Sequence, residues 1–346
     1  MRRITNAGLI RGITFAGNSV AAEAVRHSAE ARLFVGSSGM PAISVLMPVH
    51  NTGKFVGQAV KSILNQSFGE FEFVILDDGS TDHSLKALMT FAKRDKRIRL
   101  ISRGGKGLVE TRNELLHMAR GELVAWADSD DLYAPQRLER QLRRFENEPE
   151  LVVCGTRWQL IDSSNLPIKS LSFPEKHEEI VRMMLELDNA IWFPTVMMKR
   201  NVALQAGGFR HPFVIAEDYD LHLRMMEHGR VANLPDLLCY YRQHFTSTVN
   251  SRHWQAPTYS RLARTLAHER RERGTDRLQR GEVVRLEFDR PMTRSASAEH
   301  LRLKWGWWAL MDGHLKTARR LAIRNAAEKP HKLESWRLLY CALRGF

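Results

Sequence analysis

Short apolar runs alternate with amphipathic segments from Ile43 onward. The runs have the length of single strands, and the segments between them repeat their apolar positions every three to four residues, as helices do. Predicted strands cover residues 43–47, 71–76, 98–102, 123–127 and 151–155, and predicted helices cover residues 54–65, 82–94, 108–119 and 135–146. Strands that alternate with helices indicate βαβ units. The pattern therefore predicts an α/β fold with a mostly parallel sheet flanked by helices.

The pattern is less regular after Thr156, where turn-forming residues interrupt it and helices are predicted at residues 178–187 and 218–227. From about Trp254 the chain becomes helical and rich in arginine, with predicted helices at residues 305–326 and 332–343. The predicted organisation is a flexible N-terminal extension at residues 1–40, a catalytic domain at 41–253 and a basic α-helical C-terminal subdomain at 254–346.

The net charge of +13 is concentrated at the two ends of the chain. Residues 41–253 hold 27 Lys or Arg against 27 Asp or Glu, whereas residues 254–346 hold 20 against 10. A basic tail on a neutral body favours an anionic surface as partner, with a solvated helical surface as the alternative. Trp305, Trp307 and Trp308 lie in this tail, and arginine together with tryptophan suits a membrane headgroup layer better than nucleic acid.

Hydropathy adds an expectation about location. No stretch reaches the roughly twenty apolar residues that a membrane-spanning helix needs. We therefore expect a cytoplasmic protein, associated peripherally with the inner face of the cell membrane, for which nucleic acid is not the partner. The alternative role for the basic tail is to cap the catalytic domain.

Two acidic clusters directly follow predicted strands. They are Asp77-Asp78-Gly79-Ser80-Thr81-Asp82 and Asp128-Ser129-Asp130-Asp131. Ligands of open α/β sheets bind beyond the carboxyl ends of the strands. Adjacent carboxylates repel one another, so a divalent cation or ligand donors would compensate them. Capping and turn chemistry remain an alternative for the first cluster. The second holds too many carboxylates for one cap and predicts a Mg²⁺ or Mn²⁺ ion that neutralises a leaving diphosphate.

A third acidic group, Glu217-Asp218-Tyr219-Asp220, opens a predicted helix. Acids at the start of a helix are favoured by the helix dipole, which is a purely structural explanation. Asp218 and Asp220 nevertheless point to different sides of a helix. One of them could therefore face the sheet-end cleft as a general base while the other is structural.

Taken together, these residues resemble the family 2 glycosyltransferases, which have the GT-A fold. The resemblance extends from Ile43 to Asn250, about three fifths of the chain. Besides the three acidic groups, the matching segments are Met47-Pro48-Val49-His50-Asn51, Gln66-Ser67, Gly107-Leu108, Arg112-Asn113, Gly121-Glu122, Gly207-Gly208-Phe209 and Tyr241-Arg242 with His244 and Ser247. Each segment alone is weak, but their order and spacing together are highly specific.

The resemblance implies a role for individual residues. Asp130 would bind the metal ion on the donor diphosphate. Arg242 and His244 would lie on a segment that folds over that diphosphate and the acceptor. Asp218 would be the catalytic base that removes the proton of the acceptor hydroxyl. The residues that would bind the nucleotide are Pro48, Val49, Asn51, Asp77, Asp78, Arg112 and Asp128.

The implied reaction is an inverting transfer of a sugar from a nucleotide diphosphate donor to a hydroxyl of an acceptor. The family favours UDP as the nucleotide. The acceptor would be a glycan or a lipid-linked molecule in cell-surface polysaccharide biosynthesis. The chain lacks the Gln-any-any-Arg-Trp motif of processive synthases, so we expect one sugar per encounter. A nucleotidyltransferase is the alternative enzyme, but residues 48–54 form a poor triphosphate-binding loop. A non-catalytic carbohydrate- or nucleic-acid-binding protein would leave the carboxylates of Asp128, Asp130 and Asp218 unexplained.

Overall fold

The computed structural model describes residues 40–244, 253–288 and 298–345. The predicted N-terminal extension, up to residue 39, lies outside the described residues, and so does Ser247. The strands are β1 (Ile43–Val49), β2 (Phe71–Asp78), β3 (Ile98–Arg103), β4 (Leu123–Trp126), β5 (Leu132–Tyr133), β6 (Leu151–Ile161), β7 (Pro167–Leu171), β8 (Met197–Lys199) and β9 (Arg230–Arg242). The helices are α1 (Val56–Leu64), α2 (Ser84–Ala92), α3 (Leu108–Met118), α4 (Arg137–Asn147), α5 (His177–Glu186), α6 (Arg200–Gln205), α7 (Glu217–Met225), α8 (Ala256–Arg273), α9 (Ala298–Met311), α10 (Leu315–Glu328) and α11 (Leu333–Arg344).

The first four strands form the parallel half of one sheet, in the order β3-β2-β1-β4. Val45 on the central strand β1 is level with Phe73 on β2 and Ala125 on β4. Beyond β4, strand β8 runs antiparallel to β4 and β6, and β9 runs parallel to β6. The short strands β5 and β7 pair antiparallel with β9 and β6. The predicted parallel arrangement holds for β1 to β4, and the complete sheet is mixed.

Helices cover both faces of the sheet, which explains the continuous apolar runs in the strands. On β1, Ile43, Val45 and Met47 enter the core on one face, together with α1 and α4, while Leu46 enters the core on the other. The second face is covered by α3, α5, α7 and α8. Because parallel strands end at the same edge, the acidic residues at the end of β2 and those after β4 lie along that edge.

The C-terminal helices pack on the sheet in two places. Helix α8 joins the core of the second face, whereas α9, α10 and α11 form a bundle with a small core of its own. The predicted single helix at residues 305–326 is wrong, because the chain turns between α9 and α10 at Gly313, whose φ of 78° suits glycine. No helix in the described ranges is long and apolar enough to cross a membrane.

The tryptophans expected at a headgroup layer face the protein instead. Trp305 is only 4% exposed and joins the core of the first face of the sheet. Trp307 and Trp308 are partly buried, the first against the core of the bundle and the second against the sheet core. The expectation that they contact lipid is therefore wrong, because Trp305 and Trp308 pack against the core of the sheet and Trp307 packs against the core of the bundle.

Candidate active site

The carboxylates of the Asp128–Asp131 cluster lie in the loop that follows β4. The Oδ2 of Asp130 is 2.8 Å from the Nε2 of His244, at the far end of β9. The loop is held in place because the backbone N–H of Asp128 donates to the hydroxyl of Tyr133 at 2.7 Å. The backbone N–H of Arg242 likewise donates to Asp131 at 2.8 Å. The structure thus brings Asp130 and His244 together from positions far apart in the sequence.

Negative charge accumulates in this loop. Burial raises the pKa of Asp128 to about 6, with Asp130 and Glu217 adding to the rise and Arg112 opposing it. Burial, Asp130 and Asp128 also raise the pKa of Asp131 well above its usual range. A nearby cation would relieve this repulsion.

The loop offers a partial set of metal ligands. Within the described ranges, no three His, Cys, Asp or Glu side chains converge closely enough to hold a metal ion by themselves. Mg²⁺ and Mn²⁺ accept one or two carboxylates, with phosphate and water oxygens completing the shell. The carboxylate of Asp130 beside the imidazole of His244 fits an ion that is bound together with a diphosphate.

A second carboxylate at the sheet edge, Asp77 at the end of β2, has an unused acceptor. Its Oδ2 accepts a hydrogen bond from the hydroxyl of Ser102 at 3.0 Å. Its Oδ1 is buried, and no hydrogen-bond partner for it lies within the described part of the chain. Val49, level with Asp77 on β1, and Pro48 before it are both buried. Because a buried carboxylate oxygen without a donor is costly, this position suits a ligand N–H group.

The neighbouring Asp78 is bound to the protein through both carboxylate oxygens. They accept the backbone N–H groups of Lys106 and Gly107, each at 2.9 Å, and one also pairs with Arg103. Burial alone would raise the pKa of Asp78, but these donors outweigh it and lower the pKa. Asp78 therefore fixes the glycine-rich loop before α3, whose amides face this carboxylate.

Asn51 joins the loops that follow β1 and β2. Its backbone is left-handed, with a φ of 54°. Its side-chain carbonyl accepts the backbone N–H groups of Thr81 at 2.8 Å and of Asp82 at 3.3 Å. Asn51 is exposed at the sheet edge and holds the two loops that border Asp77 in position.

Arg112 bridges two of the acidic groups. Its guanidinium pairs with Glu217 at the start of α7 and lies 3.9 Å from the carboxylate of Asp128. The same guanidinium stacks on the ring of Phe193, with its carbon 4.0 Å from the ring centre. The partnership with Glu217 spans 105 residues in the sequence. It links the Asp128–Asp131 loop to the helix that carries Asp218.

The carboxylates of Asp218 and Asp220 have different environments. Asp218 keeps a partly exposed side chain. Its carboxyl group is largely surrounded by protein, and burial, with a contribution from Glu217, raises its pKa to about 7. Asp220 is fully buried and bound to Arg210 and Arg224 at 2.6 Å and 2.7 Å. Asp220 is a structural residue, and Asp218 has the pKa of a general base that operates near neutral pH.

The guanidinium of Arg242 donates to protein acceptors. Its Nε donates to the backbone carbonyl of Asp130 at 2.7 Å, and its other nitrogens donate to Asn165 and to the carbonyl of Asp162. It also stacks on the ring of Phe55, 4.7 Å from the ring centre. Arg242 therefore lies beside the Asp128–Asp131 loop and stabilises it, and the imidazole of His244 contacts the carboxylate of Asp130.

Known proteins share a large part of this sequence. A family model described as Glycosyl transferase family 2 matches residues 44–204. The O-antigen biosynthesis glycosyltransferase WbnJ of Escherichia coli is 32% identical over 225 residues, which cover 63% of this chain and 87% of that protein. The chain belongs to glycosyltransferase family 2. It is therefore a glycosyltransferase.

Solved structures extend the likeness to the fold. The S. aureus TarS fragment 1–349 in complex with UDP-GlcNAc has a TM-score of 0.52 at 17% identity, with 88% of this chain and 92% of that chain covered. The same fragment in complex with UDP also has a TM-score of 0.52, at 16% identity. The GT-A fold predicted from the sequence is confirmed.

Two residues that hold Arg112 in the candidate site have no sequence signal for that role. Glu217 is one of the acids at the start of α7, and its pairing with Arg112 depends on contacts between distant segments. Phe193, which supports the guanidinium of Arg112, lies on a short 3-10 helix over Phe193–Thr195. An aromatic residue in an irregular segment gives no periodic signal, so the sequence offers no way to find it.

The buried pair of arginines around Asp220 leads to a prediction on stability. Asp220→Ala would leave Arg210 and Arg224 without their shared carboxylate, and breaking a buried ion pair costs about 3–5 kcal/mol. We expect a loss of that size in the free energy of unfolding, measured by urea denaturation at neutral pH. Asp236→Ala, which removes a more exposed partner of Arg140, should cost at most about 1 kcal/mol. Equal losses in the two variants would contradict the structural role of Asp220.

Proposed function

We propose that this glycosyltransferase moves a sugar from a UDP-sugar donor to an acceptor hydroxyl by an inverting, metal-dependent reaction. The observation that carries the proposal is the Arg112 bridge between two acidic centres, with Asp128 on one side and Glu217 at the start of α7 on the other. Asp218, next to Glu217, has a pKa of about 7. A metal-binding loop and a poised base at the same edge are the components that such a transfer needs.

The donor nucleotide would lie across the ends of β1 and β2. The unused, buried oxygen of Asp77 supports recognition of a base N–H group, such as the imide of uracil. Pro48, Val49 and Asn51 would line the pocket for the base and ribose, with Asp128 near the ribose. Asp78 and Arg112 would act by holding the surrounding loops. The structural likeness to a fragment solved with UDP and with UDP-GlcNAc is consistent with a uridine nucleotide.

Mn²⁺ or Mg²⁺ would be held by Asp130 and His244 together with the donor diphosphate. The ion would supply positive charge that offsets the charge of the leaving diphosphate. Arg242 fixes the backbone of this loop through the carbonyl of Asp130, so that the carboxylate keeps its position beside His244.

The carboxylate of Asp218 performs the proton transfer in the proposed reaction. It accepts the proton of the acceptor hydroxyl as that oxygen forms a bond to the anomeric carbon. The bond from the anomeric carbon to the diphosphate oxygen breaks at the opposite side, and its electron pair leaves with the UDP. The single displacement inverts the anomeric configuration. Arg112 pairs with Glu217 and so fixes the start of α7, which carries Asp218.

We further propose a glycan or lipid-linked acceptor and a role in cell-surface polysaccharide synthesis, at the inner face of the cell membrane. The named role of WbnJ in O-antigen biosynthesis supports this assignment. The basic charge of residues 254–346 supports contact with an anionic surface.

The proposal predicts metal-dependent binding of one nucleotide. In calorimetric titrations of the purified protein with UDP and with GDP, each with and without Mn²⁺, we expect UDP with Mn²⁺ to bind at least about tenfold more tightly than the other combinations, a difference of about 1.4 kcal/mol. Preference for GDP would overturn the assignment of the base. Binding of neither nucleotide under any condition would overturn the proposed donor site.

A further inference from the structure

The outer face of helix α11 carries a row of exposed apolar side chains, although the helix is part of a packed bundle. Leu333 is 82% exposed, Trp336 49%, Tyr340 53% and Leu343 58%. These are four of the thirteen large apolar or aromatic side chains that are exposed within the described ranges. At 3.6 residues per turn the four lie within an arc of about 80° on the helix. We call these four residues the α11 stripe.

The α11 stripe is not needed to fold the bundle, because a different face of the helix does that. Ser335, Leu338 and Ala342 point inward and are buried. Leu338 and Ala342 belong to the small core that α11 shares with α9 and α10. An exposed, contiguous apolar surface outside a completed core indicates a binding surface.

The α11 stripe is bordered by positive charge. Arg337 and Arg344 lie along one edge of it, and both are exposed. The guanidinium of Arg344 lies 4.8 Å from the ring centre of Tyr340. Residues 298–345 hold ten Lys or Arg against four Asp or Glu. Aromatic and aliphatic side chains beside arginines are the composition of helices that lie in a membrane interface and bind anionic lipids.

The bundle also lies beside the candidate active site. Arg320 of α10 donates to Ser164 at 2.7 Å and is 3.5 Å from the carboxylate of Asp162. The backbone carbonyl of Asp162, in the same turn, accepts from Arg242, which holds the metal-binding loop. The bundle that carries the α11 stripe is therefore joined to the candidate site through α10 and the turn at Asp162.

We propose that the α11 stripe docks the enzyme on an anionic lipid surface, with its apolar side chains inserted at the headgroup level and the flanking arginines contacting lipid phosphates. This inference rests on the proposed peripheral membrane location and assigns it to one face of one helix. It replaces Trp305, Trp307 and Trp308 as the lipid contact, since those side chains face the protein.

The test is co-sedimentation of the full chain with vesicles of phosphatidylcholine alone and of phosphatidylcholine mixed with phosphatidylglycerol. We expect binding to the anionic vesicles, weakened by salt, and binding at least about tenfold weaker to the neutral ones. The variant Trp336→Ser/Tyr340→Ser/Leu343→Ser should lose binding to the anionic vesicles by about tenfold or more. These side chains are exposed, so the variant should keep its fold.

The matched control replaces three exposed apolar residues outside the bundle, as Met89→Ser/Leu187→Ser/Val283→Ser, and should bind the anionic vesicles like the unmodified chain. Absence of binding by the unmodified chain, or equal loss in both variants, would overturn the proposal.

Light scattering of the unmodified chain tests for pairing of two copies. A dimer that the stripe variant converts to a monomer would overturn the lipid assignment in favour of a second copy.

The experiments distinguish a failure of the lipid inference from a failure of the proposed donor site. UDP titration of the stripe variant should match that of the unmodified chain, because the α11 stripe touches none of the proposed nucleotide-binding residues. Vesicle binding without UDP binding would overturn the proposed function and leave the docking surface standing. UDP binding without vesicle binding would overturn the docking surface and leave the proposed function standing.

Discussion

Asp218→Asn is expected to lower kcat by about 10²–10⁴-fold, the usual contribution of a positioned general base. The amide keeps the shape of the carboxyl group but cannot accept the proton of the acceptor hydroxyl. UDP binding should be unchanged within about twofold, since Asp218 is not among the proposed nucleotide-binding residues. The measurements are the rate of UDP release with acceptor present and the calorimetric titration with UDP. A variant that keeps full activity would exclude Asp218 as the base.

The pH dependence gives a second measurement of the same role. Burial and Glu217 raise the pKa of Asp218 to about 7, so the carboxyl group is protonated below that pH and ionised above it. A base must be ionised, so kcat/KM should rise as the pH rises towards about 7 and level off above it. Because Asp128 also has a raised pKa, of about 6, UDP affinity must be measured over the same range to separate binding from catalysis.

Stability distinguishes loss of the base from loss of the fold. A carboxyl group with a raised pKa in the folded state is protonated there between about pH 4 and pH 7, whereas in the unfolded chain it is ionised. The stability that it contributes through this proton is therefore lost progressively as the pH rises from about 4 to about 7, and is gone above about 7. Asp218→Asn removes the cost of a buried charge, so its free energy of unfolding at neutral pH should equal or exceed that of the unmodified chain. This sign is opposite to that expected for Asp220→Ala.

The parallel half of the fold could be predicted because its residues face apolar neighbours on both sides. The strand around Val45 is buried on both faces and reads as a continuous apolar run, which is easily recognised. The antiparallel half was not predicted in detail, because β5 has two residues and β8 has three. Such strands are too short to show a period. They exist because β4, β6 and β9 offer them pairing edges, which only the folded chain provides.

The candidate site likewise has a part that the sequence predicts and a part that it does not. The positions of Asp77 and Asp130 at strand ends and of Asp218 at the start of a helix could be predicted from the sequence, because apolar runs and helical periods mark those boundaries. The contacts of Arg112 with Glu217 and of Asp130 with His244 could not, because they span 105 and 114 residues. Local patterns indicate which carboxylates reach the sheet edge. The position of their partners depends on how the loops pack.

Asp130→Asn is expected to remove the effect of Mn²⁺ on UDP binding and to lower kcat/KM by at least about 100-fold, since a bound metal ion contributes several kcal/mol. Asparagine keeps the size of the side chain but removes a charge. Asp130 raises the pKa of both Asp128 and Asp131, so its charge adds to the repulsion within the loop. Without metal, the variant should therefore bind the anionic UDP as well as the unmodified chain, or better.

The two effects of Asp130→Asn have opposite signs, which separates a metal site from general damage. A variant with a distorted loop would lose UDP affinity with and without Mn²⁺, whereas loss of a metal ligand alone affects only the titration with Mn²⁺. Asp95→Asn is the matched control, because Asp95 pairs with Arg97 just before β3, at the end of the sheet away from the site. It should keep the Mn²⁺ effect in full. If Asp130→Asn also kept the effect of Mn²⁺ on UDP binding, other residues would have to hold the ion. The proposed role of the loop after β4 would then be wrong.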